Sequence, residues 1–122
     1  MKVTRILHAS VNVHTDLEAT TRWYAETLGM RPAVRPEIAG VPGSWFTAGD
    51  GQVHLVGAPP RGTAIDPTGP HYCLGVEDLD AAVAELDAAG IAYLRGAQGE
   101  VVQIWITDPV GNTVELQQDR PL

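Results

Sequence analysis

The sequence predicts an α+β domain of two βαβββ modules, each a four-stranded sheet with a helix on one face, and three observations predict it. First, HASVNVHTDL from His8 to Leu17 is restated as HYCLGVEDL from His71 to Leu79; each begins with a histidine heading an alternating apolar run and turns helical at Asp-Leu. Second, each helix meets a glycine stop, Leu28-Gly29-Met30 in one copy and Ala89-Gly90-Ile91 in the other. Third, each copy closes on a short strand with one metal-capable side chain between two aliphatics, Val53-His54-Leu55 and Val114-Glu115-Leu116. His8 precedes His54 by 46 residues and His71 precedes Glu115 by 44, a near-constant period that marks one unit used twice. The 122 residues then read as one domain, with module one over 1–57, a linker over 58–70 and module two over 71–122.

In chain order, Thr4–Val13 alternates as a strand with His8, Ser10 and Asn12 on one face. Thr15-Asp16-Leu17-Glu18 reads as a capping box opening a helix whose apolar stripe is Leu17, Thr21, Tyr24 and Leu28. Met30–Arg35 follows as a short strand, and the Pro/Gly-rich stretch Glu37–Gly43 fits a lid or a plain connection equally. Ser44–Thr47 and Gln52–Val56 flank Ala48-Gly49-Asp50-Gly51, where Asp-Gly supplies the positive φ of a tight hairpin. Strand parity sets Gln52, His54 and Val56 on one face and turns Val53 and Leu55 toward the helix. Ala58–Pro70 is rich in Pro and Gly, lacks periodicity and separates the copies.

The second copy reads as a strand His71–Val76 and a helix capped by Asp78 that buries Leu79, Val83 and Leu86. A strand Ile91–Leu94 and a loop Gly96–Glu100 come next. Val101–Thr107 and Thr113–Gln117 form the closing hairpin across Asp108-Pro109-Val110-Gly111-Asn112.

Composition narrows the partners. Net charge is −7 and no basic cluster is present, which disfavours nucleic acid and anionic membrane, since both need grouped Lys and Arg. Apolar runs fall short of a bilayer span, and the start MKVTRILHASVNV lacks the pattern of a secretory signal, so a cytoplasmic protein is expected. The single Cys73 cannot form an internal bridge and is expected to be a reduced core thiol. A small molecule or a second copy of the chain is the expected partner.

ILHASVNV, the helix end WYAETLGM, GPHYCLGVEDLDAA and the closing hairpin DPVGNTVEL together resemble the vicinal oxygen chelate superfamily over nearly the whole chain. That superfamily holds glyoxalase I, methylmalonyl-CoA epimerase, extradiol dioxygenases, fosfomycin-resistance transferases and bleomycin-binding proteins. The resemblance implies that each βαβββ module curls into a half-cup and that a metal is ligated from the first and last strand of each. Carried over by position, the implied ligands are His8, His54, His71 and Glu115, and all four can bind a metal.

Three imidazoles and one carboxylate suit Zn, Ni, Co, Fe(II) or Mn better than Mg or Ca, which prefer oxygen shells. Glyoxalase-like relatives commonly carry an acidic residue where His54 stands. The departure leaves Glu115 as the carboxylate proton carrier and gives the site a more positive charge and stronger Lewis acidity. The resemblance thus implies a glyoxalase-like lyase or isomerase acting through a metal-stabilised enolate, as a homodimer, with Glu115 and His54 as catalytic groups.

Two alternatives stay open. If only His8, His71 and Glu115 bind, they make the two-histidine, one-carboxylate set of an Fe(II) extradiol-type dioxygenase, with His54 as an acid or base nearby. A bleomycin-resistance-like binding protein would need no metal. The phosphonate transferases use similar ligands, with Ser10 at a place where they carry a hydroxyl, but GAQGEV lacks the serine-rich, lysine-bearing loop they require. For substrate contact the repeat singles out Trp45, nine residues before His54, and Trp105, ten before Glu115, with core packing as the competing role. Gln103, Gln52 and Ser10 are candidate hydrogen-bonding groups, and Arg61, Arg95 and Arg120 are candidates for a substrate anion.

Overall fold

Apolar side chains at every second position make strands with one buried face, and at helical spacing make a helix that covers it. The computed structural model describes residues 2, 4–59, 64–68 and 70–119, apart from the side chains of Thr15 and Gln98. The chain divides into two units, Met1–Arg61 and Gly62–Leu122, each holding one mixed sheet and one helix.

In the first unit, β1 (His8–Asn12), α1 (Leu17–Glu26), β2 (Arg31–Ala33), β3 (Gly43–Ala48) and β4 (Gly51–Val56) form a sheet of order β1-β4-β3-β2. The β1–β4 pair is parallel and the others are antiparallel. Phe46, Val53 and Leu55 are buried on the face toward α1, where Tyr24 stacks on Phe46 with centroids 5.9 Å apart. Thr20 and Tyr24, rather than the expected Thr21, are the buried residues of α1. Thr21 is half-buried and shares a 2.7 Å hydrogen bond with the Ser44 hydroxyl.

Three expectations shift. The first strand begins at His8, not Thr4, because its partner among the described residues starts at Gly51; Gln52 N–H donates to Leu7 O as the last rung. The capping box gives way to a cap at Asp16, whose side chain makes no capping hydrogen bond. Val13 N–H donates to Val56 O and His14 N–H to Ala58 O, each at 2.7 Å, so the ladder runs past β1. A 3-10 turn at His14–Asp16 then delays the helix, with His14 in the left-handed region at φ 47°. In the hairpin the positive φ falls on Gly49, at 57°, the first central residue of a two-residue loop, as in a type II′ turn.

In the second unit, β5 (His71–Val76), α2 (Leu79–Ala88), β6 (Leu94–Gln98), β7 (Val101–Thr107) and β8 (Thr113–Gln118) repeat the same order, β5-β8-β7-β6. Asp78 caps α2 as expected, its Oδ1 accepting from Ala81 N–H at 2.9 Å. Leu79 and Leu86 are buried on the helix side together with Ile104, Ile106, Val114 and Leu116, while Val83 is only half-buried. The closing turn is built around Asp108, 3% exposed, whose carboxylate accepts from Val110 N–H, Asn112 N–H and Asn112 Nδ2.

The expected strand Ile91–Leu94 and loop Gly96–Glu100 are replaced by β6 at Leu94–Gln98. Gly96 pairs with Gln103 inside the ladder, and only Gly99-Glu100 turn. A Cβ on Gly96 would lie 2.7 Å from Trp105 Cζ3, so the glycine is the space the indole occupies, not a loop signal. Among the described residues of 58–70 there is no helix or strand; Asp66 Oδ1 accepts from the Thr68 amide and hydroxyl in a local turn.

Candidate functional site

Cross-strand partners share a face of a sheet. In the first unit His8 stands beside Gln52, Ser10 beside His54, and Trp45 opposite His54, so all five project from the face away from α1. Three rings form a row there: Trp45 stacks on His54 at 3.9 Å and 4°, and His54 on His8 at 4.2 Å and 14°. His54 Nε2 lies 2.8 Å from Gln52 Oε1, an atom that only accepts, so Nε2 carries the hydrogen and the lone pair sits on Nδ1. Burial, then the charges of His8 and Arg35, hold the His54 imidazole below its ordinary pKa and keep it neutral.

Arg35 is the residue the sequence reading missed in this unit. It stands two residues past β2 on the parity of Ala33 and lies over Gly43. Of the arginines considered for an anion, Arg95 pairs with Ile104 and therefore belongs to the helix side of its sheet. Arg61 and Arg120 lie outside the described residues.

In the second unit Cys73, Glu115 and Trp105 stand side by side across β5, β8 and β7, with His71 and Gln103 on the same face. Glu115 is 4% exposed and its carboxylate accepts three hydrogen bonds. His71 Nε2 donates to Oε2 at 3.0 Å, and Gln103 Nε2 and Gln117 Nε2 donate to Oε1 at 2.9 and 2.8 Å. Burial pushes the carboxyl pKa up, but the bonds from Gln117, Gln103 and His71 and the His71 charge outweigh it, leaving the net shift downward.

Gln103 thus gives one amide N–H to Glu115. Gln117, placed in the closing strand from the sequence but not singled out there as a site residue, was findable by parity, two residues along from Glu115. The Trp105 indole Nε1 is buried and has no partner among the described residues. Cys73 is not the expected core thiol: it is free, exposed and on the Glu115 face. Partial burial of the sulfur and the Glu115 charge raise its pKa to about 11, so in metal-free protein it stays a neutral thiol near neutral pH.

The donors therefore come as two pairs, and among the described residues no three His, Cys, Asp or Glu side chains gather at one point. His71 and Glu115 are side chains of metal-ligating type brought together on one face, and an ion held by Nε2 and Oε2 would take the place of the hydrogen that Nε2 now donates. The His8 and His54 rings lie face to face, so their lone pairs lie in nearly parallel planes and converge on an ion only after one ring turns.

The shifts of His54 and Glu115 set a pH dependence in metal-free protein. Both folded pKa values are depressed, so both contributions are full above the unfolded values and are lost on acidification. Thermal melts in EDTA should show stability falling first as pH drops below 6.5, the ordinary histidine value, and again below 4.5, the ordinary Glu value. His54→Gln should remove the upper step; a variant that retains it assigns the step elsewhere.

The family model for the Glyoxalase/Bleomycin resistance protein/Dioxygenase superfamily matches residues 5–116. A glyoxalase family protein from Bacillus anthracis superposes with a TM-score of 0.85 at 26% identity, covering 98% of each chain. Lactoylglutathione lyase from Agrobacterium tumefaciens gives a TM-score of 0.75 at 20% identity, covering 97% of this chain and 96% of its own. A glyoxylase/bleomycin resistance protein/dioxygenase domain from Frankia sp. EAN1pec gives 0.75 at 22%, covering 98% and 100%. These last two likenesses speak for the fold. No curated protein matches the sequence. Among the described residues no helix is long and apolar enough to cross a membrane.

Proposed function

This chain belongs to the glyoxalase/bleomycin resistance protein/dioxygenase superfamily, and within it we propose a divalent-metal-dependent lyase or isomerase of the glyoxalase kind, acting as a homodimer on a small oxygenated substrate. The observation that carries the proposal is the pairing of His71 with the buried, ionised Glu115 on one sheet face, where an ion would take the place of the hydrogen that Nε2 donates to Oε2. His8 and His54 are the further candidate ligands. A Zn, Ni, Co, Fe(II) or Mn ion would supply Lewis acidity toward the substrate's oxygens.

The protein's own groups divide the remaining work. Gln103 and Gln117 hold the Glu115 carboxylate ionised and oriented, so it serves first as an anionic ligand and only weakly as a base. His54, held neutral with its lone pair on Nδ1, is the stronger candidate to accept a proton. That one lone pair serves either an ion or a proton, not both. Trp45 and Trp105 supply flat apolar walls on the non-helical faces, and Ser10 a hydroxyl beside His54.

One observation favours a second reading. His54 is held between two parallel rings and bonded to Gln52, which leaves His8, His71 and Glu115 as the ligand set of an Fe(II) extradiol-type dioxygenase. Elemental analysis of untagged protein beside His54→Ala separates the two. Near-stoichiometric Zn, Ni, Co or Mn that drops sharply in the variant is the expected result. Iron retained by the variant selects the second reading. No metal under any reconstitution condition overturns both and leaves a small-molecule binding protein.

A further inference from the structure

Continuing the β2–β3 register two residues past Ala33 and Trp45 sets Arg35 opposite Gly43. A Cβ there would lie 2.5 Å from Leu55 O on the neighbouring strand, which is what demands glycine, and its absence leaves room for the Arg35 guanidinium, whose Nε and Nη2 would lie 3.1 and 3.2 Å from such a Cβ. The guanidinium's hydrogen bonding is incomplete. Nη2 donates to Val41 O at 2.6 Å and Nη1 reaches Pro36 O only at 3.5 Å, while Nε is buried with no partner. Among the described residues no carboxylate pairs with it, whereas Arg5 in the same unit pairs with Asp50. A guanidinium placed this way has donors to give to an oxyanion.

Beside it, the three-ring row covers only one face of the Trp45 indole, the face toward His54. On the other side β2 presents the single methyl of Ala33, and Trp45 is half-buried, so its second face is available to a flat group. A ring laid there, over Ala33, carries its substituent toward Arg35, two residues along on the same face. The second unit lacks this arrangement: Leu94 stands where Ala33 does, Gly96 where Arg35 does, and Trp105 folds over that glycine.

We propose that the non-helical face of the first unit carries an anion subsite, with Arg35 as the anchor for the carboxylate of a planar organic ligand whose ring lies against Trp45. The subsite goes beyond the metal reading and does not depend on it. Calorimetric titration of benzoate and of neutral benzamide into the protein as purified, with and without EDTA, tests it alongside Arg35→Gln and Ala33→Leu.

Benzoate should bind saturably in both conditions, benzamide at least tenfold more weakly. Each substitution should weaken benzoate at least tenfold, Arg35→Gln by removing the charge and Ala33→Leu by filling the space over the indole. Thermal melts check that both variants fold; Ala33→Leu keeps the question answerable if Arg35→Gln does not. Absence of saturable benzoate binding, equal binding of benzamide, or indifference to both substitutions overturns the subsite. Arg35-dependent binding in protein that takes up no metal would uphold it while the metal reading fails.

Discussion

Replacing Phe46 by Ala is expected to remove about 3–5 kcal/mol of stability, the range for truncating a buried aromatic, and to lower the melting temperature by on the order of 15 °C for a chain of this size. Phe46 is fully buried, pairs with Val53 across β3–β4 and stacks on Tyr24 of α1. Its neighbour Trp45 faces the other way and stacks on His54. The substitution therefore opens a void on the helix side of the strands whose other face carries the ring row. Well below the new melting temperature, benzoate and metal binding should be close to wild type, because the β3–β4 register that sets Trp45 against His54 is retained. Denaturant unfolding followed by circular dichroism measures the loss. A cost under about 1 kcal/mol would mean that α1 does not pack on Phe46 as described.

That division between faces is also why so much of each unit was legible in the sequence. Strand parity is strict, so placing Val53 and Leu55 inward fixed His54 outward, and the same step on β8 placed Glu115 beside Trp105. The repeat carried the arrangement from one unit to the other. What parity could not supply was anything set by a partner distant in sequence. Gly96 looked like a loop because glycine has weak strand propensity; the indole of Trp105, nine residues on, is what needs it in the ladder. Arg35 lies beyond the end of its strand, and it comes to lie over Gly43, a glycine that the close approach of Leu55 O already requires. The start of β1 was overextended for a similar reason. Thr4–Leu7 alternates acceptably, but a strand lasts only as long as its partner, and β4 begins at Gly51. The pairing of His71 with Glu115 follows from one register; the face-to-face posture of His8 and His54 depends on side-chain torsions that no spacing encodes.

Glu115→Gln is expected to lower divalent-metal affinity at least 100-fold while changing the stability of the metal-free protein by no more than about 1–2 kcal/mol. Losing a group that merely supports a ligand costs roughly 10–100-fold, and this substitution removes a proposed ligand together with its charge. The small stability change follows from the surroundings. The amide oxygen that replaces Oε1 still accepts from Gln103 and Gln117. The amide nitrogen that replaces Oε2 is a donor facing His71 Nε2, so the imidazole must present its lone pair there instead. Relief from burying a charge offsets part of the weakened bonding. Glu115→Ala behaves differently: it leaves the side-chain donors of His71, Gln103 and Gln117 without their acceptor, at about 2–4 kcal/mol even without metal. Competition titration against a chromophoric chelator, beside melts in EDTA, reads both quantities. If Glu115→Gln keeps wild-type metal affinity, Glu115 is not a ligand and its three hydrogen bonds serve only to hold β5, β7 and β8 together. If it loses affinity and stability in proportion, the metal effect is secondary to misfolding. Only loss of the metal with retention of the fold assigns the carboxylate to the ion.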